Sequence, residues 1–139
     1  MPDDAAQIQQ TLQWFDKPAC RIAEAIWCSF VPIASDAKGW RLDKLGEAIG
    51  PHDVIRNGNR KLHAVGRGFS YHDATGGFEL ETLDAPLVAP GTPSLLDFNN
   101  RQPVMTRGMH VNLFNNVWGT NFRMWCDDDM RFRFILTFS

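Results

Sequence analysis

The chain has 139 residues, 44% hydrophobic and 22% charged, which suits one domain with a real core and leaves too little for two. A formal net charge of -2 and a pI near 6.0 argue against a nucleic-acid footprint, which is basic and clustered. No apolar run reaches the ~18 residues a membrane helix needs, and the polar, acidic start MPDDAAQIQQ has no signal-peptide character, so a cytoplasmic location is expected.

In chain order, Ile8, Leu12 and Phe15 fall at i, i+4 and i+7 behind two aspartates, and this spacing predicts a short N-terminal helix over 4–15, ended by Pro18. Residues 1–17 are read as that helix or the remnant of a connection, and 18–139 as the domain. The stretch RIAEAIWCSFVPI mixes preferences, but Ile26, Trp27, Phe30 and Val31 favour a strand. Trp40 and Leu42 alternate with Arg41 and Asp43 as a half-buried strand. Asn57-Gly58 predicts a hairpin whose second strand runs from Lys61 to Tyr71, with Gly66 and Gly68 marking a bulge.

After a turn at 73–77, Phe78-Glu79-Leu80-Glu81-Thr82 alternates strictly. Leu87-Val88 and Ser94 to Phe98 are expected to be short strands within a proline-rich stretch. Met109, Val111 and Leu113 alternate with His110, Asn112 and Phe114. Met130, Phe132, Phe134, Leu136 and Phe138 share one face of a last strand, with Arg131, Arg133 and Thr137 opposite. Seven or eight short strands and little helix predict an antiparallel β-sandwich.

The chemistry-bearing motifs are few. There is no H-E-x-x-H, no G-x-S-x-G and no phosphate-binding loop, and the four histidines lack metal-ligand spacing. No cofactor or metal is expected. Cys20, Cys28 and Cys126 form no C-x-x-C pair and read as free thiols. Asp127-Asp128-Asp129 reads as a solvated turn, too short for a calcium loop. Glu24, between Ile22 and Ile26, reads as a structural ion pair with Arg21 or a distant arginine, and Asp84 as an acceptor of backbone hydrogen bonds at a strand end. Glu24, Glu81 and Asp84 are also the carboxylates available for acid-base work. The segment LFNNVWGTNFRMW crowds amides against indoles. Asn115, Asn116 and Asn121, with Trp118, Trp125 and His110, fit either a structural corner or a sugar-facing surface in which an indole stacks on a pyranose and amides meet its hydroxyls.

Taken together, RIAEAIWCSFVP, NGNRKLHAV, ETLDAPLVAPG, HVNLFNNVWGTNF and MRFRF resemble a C-terminal all-β domain of uncharacterised proteins related to glycoside hydrolase family 38, the α-mannosidase type. The likeness runs from about Pro18 to Phe138. It implies a galactose mutarotase-like sandwich (supersandwich type), detached from an upstream zinc-holding barrel whose ligands have no counterpart here. Arg123 departs from the proline expected after Phe122. The implied role is a non-catalytic domain packed against a catalytic partner domain. The alternatives are a stand-alone carbohydrate-binding module and a small glycosidase using Glu24 and Asp84.

Overall fold

The computed structural model describes residues 6–117 and 125–139. Ten strands lie in them: β1 Gln7–Trp14, β2 Ala25–Phe30, β3 Trp40–Lys44, β4 Glu47–Ile49, β5 His63–Ala64, β6 Gly68–Asp73, β7 Gly76–Thr82, β8 Leu87–Pro90, β9 Met109–Asn115 and β10 Met130–Phe138. They form two antiparallel sheets. One has six strands in the order β1-β10-β7-β6-β3-β4, and the other has four in the order β2-β9-β8-β5. The only helical turns among the described residues are single 3-10 turns at Ala37–Gly39 and Met105–Arg107.

Period-two burial builds the core. Trp40 and Leu42 of β3, Phe69 and Tyr71 of β6, Phe78 and Leu80 of β7, and Phe132 and Phe134 of β10 point inward from the larger sheet. Val88, Met109, Val111 and Leu113 meet them from the smaller one. Phe30 of β2 reaches across, with its ring 5.4 Å from Phe134 and 6.0 Å from Phe69. Such edge-on aromatic pairs lock the two layers in one relative position. The β6–β7 turn is fastened by Asp73, whose carboxylate accepts from Ser35 at 2.6 Å, the Tyr71 hydroxyl at 2.7 Å and the Thr75 amide at 2.8 Å. These donors hold its pKa far below the usual carboxylate range.

Three local expectations change. The N-terminal helix over 4–15 is instead β1, paired with β10 from Gln7 opposite Thr137 to Trp14 opposite Met130. The same residues alternate as well as they spiral: Leu12 and Trp14 turn inward, and Trp14 stacks 5.2 Å from Phe132. A helix there would leave one edge of β10 without backbone partners, and pairing decides. Asn57 does turn the chain, with φ 65°, but no hairpin follows. Residues 51–62 are irregular, and β6 pairs with β3 and β7. Ser94 to Phe98 is likewise not a strand.

Candidate functional site

The amide-rich corner after β9 is organised by one side chain. Asn116 is buried, and its Oδ1 accepts from the Glu24 amide at 2.6 Å. Its Nδ2 donates to the carbonyls of Cys20 at 3.1 Å and Ile22 at 3.0 Å. Its own amide donates to the Glu24 carbonyl at 3.1 Å. Segment 20–24 has no strand partner of its own, so a single asparagine supplies the acceptor and donors that a ladder would otherwise give. Little of this side chain is left for a ligand.

The neighbouring side chains extend the same corner. Asn115 Nδ2 donates to Asn112 Oδ1 at 2.7 Å, and Asn112 Nδ2 donates to the Phe114 carbonyl at 3.2 Å. Glu24 pairs with Lys17 at 2.5 Å, so among the described residues its cation is this lysine and not an arginine. The Lys17 ammonium also lies 4.6 Å from the centre of the Phe114 ring, which turns that outward aromatic into part of the ion-pair site. Arg21 lies 4.5 Å over Trp125, which is half-buried. Trp118 and Asn121 lie outside the described residues. Asn115, Asn116, Glu24 and Trp125 thus gather around segment 17–24.

His110 stands apart from that group, five residues up β9, or roughly 17 Å along the strand. It is buried, with Nδ1 2.7 Å from the Ser29 hydroxyl. Burial lowers its pKa, against the weaker pull of the Gly91 and Arg107 carbonyls. Asp84 lies at the end of β7, where Oδ2 accepts from the Arg133 backbone amide at 2.8 Å and from its Nε at 3.0 Å, while Oδ1 accepts from Nη2 at 2.7 Å. The backbone bond is the one expected, and the guanidinium adds a bidentate clamp that holds the carboxyl below its usual range.

Among the described residues no group of three or more His, Cys, Asp or Glu side chains is placed to hold a metal ion. The three cysteines are free and half-buried, and burial pushes the Cys28 thiol up. No helix among the described residues is long and apolar enough to cross a membrane.

A second amide cluster lies at a different place. Asn57, Gly58 and Asn59 face Phe98, Asn99 and Asn100 across a cavity of about 290 Å³. The sequence signal for it was the repeated density of asparagine in RNGNR and FNNR, which turn chemistry alone explains equally well. No family model, no curated protein and no solved structure matches this chain.

Proposed function

We propose that this chain is a non-catalytic β-sandwich module of a carbohydrate-active, glycoside hydrolase-like protein, packing against a catalytic domain outside this sequence. The observation that carries the reading is the commitment of the two acids that chemistry would use. Glu24 is held by Lys17, and Asp84 is clamped by Arg133 through three hydrogen bonds. A glycosidic pair needs one carboxyl with a raised pKa to protonate the leaving group. Asp84 is driven the opposite way by its arginine.

The carbohydrate class comes from the resemblance of the strand motifs to the family 38-related domain, and the two-sheet architecture agrees with it. Val31, Ile33 and Val104 are exposed on loops and leave apolar area that another domain would cover.

The test is hydrolysis of a panel of aryl glycosides by the purified chain, beside Glu24→Gln and Asp84→Asn. Wild type and both variants are expected to be equally silent. Asp84→Asn should nevertheless lower unfolding stability by about 1–2 kcal/mol, because the clamp is only partly shielded from water. Turnover by wild type that either variant abolishes would overturn the proposal.

A further inference from the structure

The cavity between residues 57–59 and 98–100 combines three properties. Its lining is four asparagines, a glycine and Phe98, with no charged side chain. Phe98 is 78% exposed, although it belongs to neither strand nor core. Finally, the two loops are tied to each other before any ligand arrives. Asn100 Nδ2 donates to Asn57 Oδ1 at 3.1 Å, Arg60 donates to Gln102 Oε1 at 3.2 Å, and His52 Nε2 lies 3.2 Å from the Pro103 carbonyl.

The division of labour within the amides is informative. Asn59 Oδ1 accepts from the Lys61 amide at 2.8 Å, and Asn99 Oδ1 accepts from the Arg101 amide at 2.9 Å, so these oxygens shape their turns. Asn99 Nδ2 is spent on Asp97. Asn57 Nδ2, Asn59 Nδ2 and Asn100 Oδ1 make no hydrogen bond among the described residues. Two amide NH2 groups and one amide oxygen therefore remain beside an uncovered aromatic ring. Asn57 also holds a left-handed φ of 65°, a conformation that costs a side-chain-bearing residue energy.

From this we infer that the loop pair is a binding site for one pyranose ring of a carbohydrate. A sugar hydroxyl both donates and accepts, which amides match and single-sign charges do not. The C–H face of a pyranose is apolar and would take Phe98 out of water. The volume of about 290 Å³ falls just under the about 300–1,000 Å³ usual for sites that take drug-sized ligands, which suits a single ring. The tethers between the loops mean that little ordering is needed on binding. The ligand class leans on the carbohydrate reading above, and the location rests on this geometry alone.

The experiment is amide-resolved NMR on the 15N-labelled full chain, titrated with methyl glycosides of mannose, glucose and galactose at millimolar concentration, with adenosine as a stacking control. The expected result is that one glycoside shifts the side-chain NH2 signals of Asn57, Asn59 and Asn100. Phe98→Ala and Asn59→Asp should each weaken that binding about tenfold. Phe98 is exposed, and Asn59→Asp keeps the oxygen its turn uses, so both variants should fold. Shifts confined to Asn115 and Trp125 would overturn the location while leaving the carbohydrate reading intact. A response to adenosine alone, or to no glycoside, would overturn the site, and the aryl-glycoside assay judges the module reading separately.

Discussion

His63 is 6% exposed and faces the Lys44 ammonium, 3.4 Å from its Nδ1. Burial, then the charge of Lys44, lowers its pKa to about 4, while the Arg60 carbonyl pulls weakly upward. In the unfolded chain the same imidazole titrates near ~6.5. Below that value the unfolded state binds a proton that the folded state refuses, so the contribution of His63 to stability falls as pH drops from about 6.5 towards about 4 and is level below. Urea unfolding should lose about 2 kcal/mol between neutral pH and the lower part of that window, with buried His110 acting in the same direction. Asp73 and Asp84, whose pKa values are depressed, lose their contribution only at still lower pH. Imidazole resonances of His63 titrating near the ordinary histidine value would refute this assignment.

At the level of strands, legibility followed the number of competing patterns. In β7 and β10 the buried positions Phe78, Leu80, Phe132 and Phe134 alternate with charged ones, so only a strand fits and the sequence reading stands. Ile8, Leu12 and Phe15 fit a helix, whereas Leu12 and Trp14 fit a strand, and the choice lay in β10, more than a hundred residues away. Asn116 shows the same limit at the candidate site: its amides suit a corner or a sugar, and only the distant carbonyls of Cys20 and Ile22 decide. Gly66 and Gly68, expected to mark a bulge, are not equivalent: only Gly68 lies in β6, which pairs with β7 in unbroken register. A Cβ on Gly68 would come within 1.8 Å of the Leu80 carbonyl oxygen, which is backbone and cannot step aside, whereas on Gly66 the nearest atom is an Asp43 carboxylate oxygen at 3.5 Å. Gly68→Ala should therefore cost about 3 kcal/mol or more. Gly66→Ala should lie within about 1 kcal/mol of wild type, on the stabilising side if anything. Similar unfolding midpoints for the two variants would show that the β6–β7 approach is looser than described.

Across the whole molecule, the larger sheet is completed by its most distant parts. β6 and β7 are joined by a tight turn from Asp73 to Gly76, while β1 joins the sheet only by pairing with β10 at the opposite end of the sequence. Local pairing costs little chain entropy, and closing the longest loop is rewarded only once β10 is in place on β7. The hairpin should thus be formed in the folding transition state, with β1 docking afterwards. Leu12, opposite Phe132 on β1, and Leu80, buried in β7, probe the two events. Leu12→Ala, at a half-buried site, should destabilise by about 1–2 kcal/mol, almost wholly through faster unfolding. Leu80→Ala should cost about 3 kcal/mol, with much of the loss in slower refolding. Stopped-flow refolding and unfolding across a denaturant series measures both limbs. Refolding slowed by Leu12→Ala in proportion to its loss of stability would mean that the two ends meet early, and that the sheet grows from its β1–β10 edge rather than from the β6–β7 hairpin.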